Sequence, residues 1–334
     1  MIRVMLRRAL SLSVLFLFLA ALAATAQVRL VRNGEQVDVT INGTPFTSLH
    51  FGSDYAKPFL YPIRSVNGTA LTRGFPLEIV PGEDKSDPHQ RGLWIGHGDV
   101  NGVDFWTEGD GKGRIVLRTL GRLVGGAEAG SLTAEFEWRD ATGRPLVEEV
   151  RTMTFTQVVS ENLIDIESTL RPAGAEKIVF GDTKNGTFAV RLSNALSERT
   201  EKCPNCPGHM TNSEGGRGEK EIWGKHANWV DLSGEVEGQR WGVAMFDHPA
   251  NHAHPAAWHA RAYGLIAANP FGAREFSPGA AGGMAIQPGS SLTFRYRVVV
   301  HSGDAIAARI SQQYLKWVVR PLAGLAPQQS FAGH

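Results

Sequence analysis

The sequence predicts an all-β protein built as a large antiparallel β-sandwich, and three observations carry that expectation. Apolar and polar residues alternate with period two through most of the chain, the signature of half-buried strands. The 38 glycines and 17 prolines fall largely between these runs, where sandwich corners need turn residues. Only one stretch has a convincing helical period.

Residues 1–26 carry Arg3, Arg7 and Arg8, then an apolar run from Ala9 to Ala24 and the small-residue string Ala24-Thr25-Ala26. This is the pattern of a secretory signal peptide; an uncleaved N-terminal anchor is the alternative, although the run falls short of the roughly 20 residues a spanning helix needs. The expectation is export to the periplasm or beyond. No later segment is apolar enough to cross a bilayer.

The mature chain reads as one β-sandwich domain over 27–325, a split near 196–220 being the alternative. In Leu132-Thr-Ala-Glu-Phe-Glu-Trp138 the residues Leu132, Ala134, Phe136 and Trp138 face one way, and Asp140-Ala-Thr-Gly143 supplies a turn. Val147 to Val158 and Leu163 to Leu170 continue the pattern as a three-stranded meander, and Ser291 to His301 is another long strand. Asp304 to Val318 is the helix, with Ile306, Ile310, Tyr314 and Trp317 at helical spacing and Ser302 or Asp304 as its cap. Residues 326–334 have no pattern and read as a frayed tail.

The formal charge is +1, or −2 once the three leader arginines are removed, and the remaining charges are interspersed. Phosphate binding needs a concentrated basic patch, so a nucleic acid is not an expected partner. The two cysteines form Cys203-Pro-Asn-Cys206 in a loop-like stretch. In an exported protein this reads first as a local disulfide, then as a soft-metal half-site completed by His209, and last as a redox motif.

Two segments are dense in chemistry. The first, Asp87 to Trp106, holds His89, Arg91, Trp94, His97, Asp99, Asn101, Asp104 and Trp106 with glycines threaded between them. The second, Asp247 to Tyr263, holds four histidines, His248, His252, His254 and His259, beside Asn251, Trp258, Arg261 and Tyr263. A histidine acting as acid or base needs a partner to fix its tautomer, and Asp99, Asp104, Asp247 and Glu275 are candidates. As a metal ligand it needs companions converging on one point, which His252 and His254, two apart, would supply to a divalent metal with His89 or His97 if the backbone is extended.

Aromatic faces stack on the apolar face of a sugar ring, while Asp, Asn, Arg and His satisfy its hydroxyls. The mixture therefore points to a small-molecule or oligosaccharide ligand. His97 and His259 are the expected acid/base pair. His89, Arg91, Asp99, Asn101, Asp104, His248, Asn251, Arg261 and Tyr263 are the expected polar contacts, and Trp94, Trp106 and Trp258 the walls. No Walker loop, dinucleotide fingerprint, G-x-S-x-G elbow or HExxH helix is present.

The strings Arg91 to Trp106, Gly181-Asp-Thr-Lys184, Phe246-Asp-His-Pro249, Trp258-His-Ala-Arg-Ala-Tyr-Gly264 and Ala268-Asn-Pro-Phe-Gly272 resemble the DUF6807 family, often labelled PmoA after a methane oxygenase subunit. The similarity runs from about Pro58 to His301. A membrane methane oxygenase subunit needs several apolar spans of about 20 residues, and this chain has none after its leader, so the label does not describe its chemistry. The resemblance implies a β-sandwich similar to the sugar-mutarotase supersandwich and a place among bacterial sugar-utilisation genes. The family's first motif has histidines where this chain has Asp87 and Gln90, and a glutamate where it has Asn185. These departures make binding without turnover the alternative to an enzyme acting by hydrolysis, elimination or epimerisation.

Overall fold

The computed structural model describes residues 27–201 and 203–319; the expected leader and tail lie outside the described residues. Along the chain run β1 (Val28–Asn33), β2 (Gln36–Ile41), β3 (Thr44–His50), β4 (Phe59–Tyr61), β5 (Leu93–His97), β6 (Arg114–Val124), β7 (Ala129–Arg139), β8 (Pro145–Val158) and β9 (Glu161–Pro172). There follow β10 (Ile178–Phe180), β11 (Gly186–Arg191), β12 (His209–Asn212), helix α1 (Gly218–Ile222), β13 (Trp229–Val236), β14 (Gln239–Asp247) and β15 (Ala257–Arg261). The last elements are β16 (Leu265–Asn269), β17 (Met284–Ile286), β18 (Leu292–Ser302) and helix α2 (Ile310–Val318).

Two eight-stranded antiparallel sheets result. The first has the order β1-β2-β3-β4-β5-β11-β16-β15, and the second β12-β13-β14-β18-β9-β8-β7-β6. The expected meander is β7-β8-β9, and β18 joins it alongside β9 with Tyr296 opposite Ile166. In β7 the residues Leu132, Ala134, Phe136 and Trp138 are all buried, as the alternation requires. Their partners come from the first sheet: Phe188 of β11 stacks on Tyr296 of β18 with ring centroids 4.4 Å apart, and Phe46 of β3 meets Phe155 of β8 at 6.3 Å. One core cluster contains residues from Val28 through Val300.

The outer faces of the two sheets are covered differently, and this places the candidate site. On the second sheet, α2 lays Ile310 and Tyr314 over Leu163, Trp229, Ala244, Phe246 and Val299. The helix is shorter than the sequence predicts. Asp304 caps a first turn through the amides of Ile306 and Ala307, but Arg309 takes a left-handed φ of 54° and separates that turn from α2, leaving Ile306 exposed. On the first sheet, the outer face carries a smaller cluster of Phe59, Tyr61, Trp94, Trp106, Ala189, Leu265 and Ala267, closed over by loops.

Inside the second sheet, His301 Nε2–H donates to Asp231 Oδ2 at 2.6 Å, with both side chains fully buried. Burial alone would lower the histidine pKa, but the Asp231 carboxylate raises it. The stabilisation from this pair is present below the unfolded value near 6.5 and is lost as pH rises through the raised folded value. His301→Ala strands a buried carboxylate, and the expected cost is about 3–5 kcal/mol. Urea denaturation at pH 6 checks this; a change under about 1 kcal/mol would mean that the carboxylate finds another partner.

Candidate functional site

The floor of the site is the outer face of the first sheet. Trp94 on β5 and His259 and Arg261 on β15 point outward, because neighbouring residues of a strand alternate sides and their neighbours Leu93, Ile95, Trp258 and Ala260 enter the core. Trp106 lies over this face, its ring 5.2 Å from Trp94 and 6.4 Å from His259, nearly parallel to the imidazole at 24°. Trp94 and Trp106 are themselves 1% and 2% exposed, so these two rings are buried packing that backs His259.

His259 is 5% exposed. Its Nδ1 is buried without a hydrogen-bond partner. Burial, helped by the positive charge of Arg261, lowers its pKa to about 4, while Asp87 opposes the shift. His89 arrives from the loop before β5. Burial and the Lys57 charge lower its pKa to about 4 as well, against Asp87, Glu108 and Asp104. Both imidazoles are therefore neutral at neutral pH, and both sense the Asp87 carboxylate. Tyr263, in the turn between β15 and β16, keeps its proton because burial raises its pKa. Its ring lies 4.2 Å from the Arg191 guanidinium and 5.7 Å from that of Arg261.

Several residues here were not singled out from the sequence. Lys57 is 3% exposed; its Nζ donates to the Trp106 carbonyl and to Glu108 Oε1, both at 2.8 Å. Burial lowers the Lys57 pKa, and Glu108 opposes that. Glu108 also receives both its 2.7 Å contacts from Arg91 Nη1, so one carboxylate ties two cations. Although burial would raise the Glu108 pKa, the Lys57 charge and these hydrogen bonds hold it below its ordinary value. A lone lysine before a proline carries no motif, so Lys57 had no sequence signal; Glu108, two residues beyond the first segment, had only its proximity.

Arg73 holds the loop that presents Asp87 and His89. It is 1% exposed, and its two terminal nitrogens donate to the carbonyls of Asp84, Ser86, Asp87 and Gln90 at 3.2, 2.6, 2.9 and 3.0 Å. Beside it, Arg191 donates to Gln90 Oε1 at 2.7 Å and to Asp84 at 2.9 Å. Gln90 is thus buried in the scaffold under the loop.

Several expected site residues lie elsewhere. His97 points into the sandwich: it is 0% exposed, Nε2–H donates to the Gly181 carbonyl at 2.8 Å, Nδ1 accepts from Thr187 at 3.3 Å, and Phe180 and Phe271 pack against the ring. A Cβ on Gly186 would sit 2.2 Å from Nδ1, which explains that glycine. This placement removes His97 from the acid/base pair. Trp258, an expected wall, is also core, with its indole N–H on the Ala227 carbonyl.

Asp99 and Asn101 shape a turn beside β10. Asp99 Oδ1 accepts from the Gly102 amide, and Asn101 bridges the backbone of Lys177 and Val179. Asp104 caps the next turn through the amides of Trp106 and Thr107 and pairs with Lys112. The expected metal pair does not converge, because 251–256 is a series of turns and not an extended strand. His254 is committed to the buried Asp247 at 2.8 Å, and His252 packs against Phe271. Among the described residues, no three His, Cys, Asp or Glu side chains are arranged to hold a metal ion. Asn251 ties Asp247 to the Arg295 backbone, and His248 packs edge-on against Trp317 near α2.

The inward-facing His97 has a measurable consequence. Burial lowers its pKa to about 4. Its contribution is fully present above the unfolded value near 6.5 and is lost as pH falls through 4, about 3 kcal/mol in all. His301, whose folded value is raised, contributes with the opposite sign, but it does so equally in the parent and in a His97 variant, so the difference between the two curves isolates His97. Urea midpoints between pH 7 and 4.5 should therefore fall less steeply in a folded His97→Gln variant than in the parent; parallel curves would contradict the burial.

A cleft of about 560 Å³ opens beside the site, with Asp87, Arg261 and Tyr263 in its lining. Asn194, Ser197, Thr200, Glu201 and Cys203 form another part of it, and Cys203 is disulfide-bonded to Cys206. The local disulfide is therefore the reading of the cysteine pair that the structure bears out, and it excludes the free-thiol metal half-site in this form.

These features define a two-sheet antiparallel β-sandwich with a polar and aromatic site on one outer face. The chain belongs to the family of unknown function DUF6807, whose model matches residues 36–315. No curated protein matches it. Among solved structures it is similar to a mutant heparan sulfate lyase from Pedobacter heparinus, at 9% identity and a TM-score of 0.38, covering 84% of this chain and 36% of the lyase. A protein provisionally assigned as an aldose 1-epimerase from Escherichia coli K12 matches at 11% identity and a TM-score of 0.34, covering 83% of this chain and 99% of that one. A polysaccharide lyase matches at 14% and 0.30, covering 88% and 35% respectively. The chain thus spans about a third of the length of either lyase. Among the described residues no helix is long and apolar enough to cross a membrane.

Proposed function

We propose that this is an exported carbohydrate-active protein whose outer sheet face performs acid/base chemistry on a sugar or sugar derivative. The observation that supports this reading is that one carboxylate, Asp87, acts on two neutral imidazoles, His259 and His89, and lines an open cleft that Arg261 of the His259 strand also lines. A neutral imidazole accepts a proton first and returns it second. Tyr263, still protonated, is the group able to donate at the outset. Base-first chemistry suits removal of a proton from a carbon beside a carbonyl, as in elimination or epimerisation, better than hydrolysis, which begins by protonating a leaving group. In this scheme His259 is the base, Tyr263 the acid, Arg261 and Arg91, each already paired with a carboxylate, orient oxygen atoms of neutral groups, and the buried Trp106 and Trp94 fix the imidazole from behind.

The second reading is sugar binding without turnover, favoured by Gln90, which sits buried against Arg191 where the sequence resemblance implies a histidine. Incubating the purified chain with a library of neutral, amino and uronic oligosaccharides, followed by mass spectrometry and NMR, separates the two. New products or solvent deuterium in a sugar C–H position support the enzyme. Retention of a glycan with neither supports the binding module, and no retention of any glycan contradicts both.

A further inference from the structure

Resting on that reading, we infer that the cleft beside His259 is a second sugar subsite, so that the ligand spans at least two rings, and that the ring held in the cleft is not anionic. The geometry begins on β15. His259 and Arg261 are two apart on one strand and project from the same face, about 7 Å apart at the usual strand rise. Arg261 lines the cleft, and its charge acts on His259; Asp87 does both as well. The cleft is therefore the next position along the same face, about one pyranose away from the proposed base. Its volume of about 560 Å³ suits a small ligand and exceeds what one side of a reacting ring would need.

The lining decides the chemistry. Tyr263 offers an aromatic ring that Arg191 backs at 4.2 Å, while Ser86 and the carboxylates of Asp84, Asp87 and Glu201 supply acceptors for hydroxyl protons. The one cation among these, Arg261, is already paired with Glu219 at 3.1 Å, and Asp84 is held by Arg191. The buried Arg73 and Arg191 act on Asp84 and Asp87 but do not line the cleft, so a uronate or sulfate entering here would meet carboxylates first, whereas hydroxyls find acceptors without that repulsion.

The test compares binding of mono-, di- and trisaccharides from a glycan array to the parent chain and to two blocked variants, Glu201→Trp and Asn194→Trp, both lining the cleft outside the 84–90 loop. Hits are followed by calorimetry on the soluble glycans. The expected result is that a neutral or amino disaccharide binds about tenfold or more tightly than its monosaccharide, a gain of roughly 1.4 kcal/mol. Blocking the cleft should reduce the disaccharide to the monosaccharide's affinity and leave the monosaccharide unchanged, and uronate or sulfated disaccharides should gain nothing over their monosaccharides. Equal affinity for one and two rings, or indifference to both blocking variants, overturns the subsite while leaving the sugar reading intact. Preferred binding of sulfated or uronate disaccharides overturns the charge argument. Absence of any glycan binding overturns the sugar reading itself, and the subsite with it.

Discussion

His259→Gln is expected to lower turnover of a processed glycan by about 10²–10⁴-fold, the range for loss of a positioned acid/base group. Glutamine keeps much of the volume and a hydrogen-bonding end, so the packing against Trp106 should persist and the fold with it. Binding should change far less than turnover, because the proton transfer and not ring recognition is lost. His97 is the control: it is buried on the opposite face of its sheet, with both ring nitrogens engaged. Folded His97→Gln protein should retain catalysis within a few-fold while losing stability. A His259→Gln variant with parental turnover would remove this imidazole from the chemistry. An inactive but fully folded His97→Gln variant would restore the role first expected of that residue.

The second large effect is expected at Arg73. Replacing it with methionine leaves four carbonyls of the 84–90 loop without the guanidinium that gathers them. Each charge-assisted bond is worth more than a neutral one, and stranding buried acceptors carries a desolvation cost; together these suggest a loss of about 3–5 kcal/mol. The loss should be local as well as global. With the loop released, His89 should titrate closer to its ordinary value near 6.5, because the burial that lowers it comes from this arrangement. His259, fixed on β15, should move less. Histidine-detected NMR titration distinguishes this from general loosening, in which both imidazoles would shift together.

The strands were legible because alternation is local: β7, β8, β9 and β18 follow directly from runs such as Leu132 to Trp138. Which face of each strand opens outward was partly legible too. Trp94 and His97 are three apart and Trp258 and His259 adjacent, so in strands the members of each pair must point to opposite faces. That parity already forbids using all four as one wall. What the sequence could not settle was which sheet face would be covered by a helix and which by loops, since α2 packs on the second sheet through contacts distant in the chain. The same applies to Arg73 and Lys57, whose roles arise only when the loops 84–90 and 104–108 fold over them. The His252 and His254 expectation failed on one assumption, an extended backbone, where the Pro249 and Pro255 region forms successive turns.

The central claim is that ligands meet the outer face of the first sheet at His259 and His89. The most direct measurement is a ¹⁵N-imidazole and indole NMR footprint, recorded with and without the tightest glycan from the array. The account predicts shifts at His259, His89, Trp106 and Trp94, with His97, His248 and His254 unmoved. Shifts centred on His248, His252 and His254 with His259 silent would contradict it.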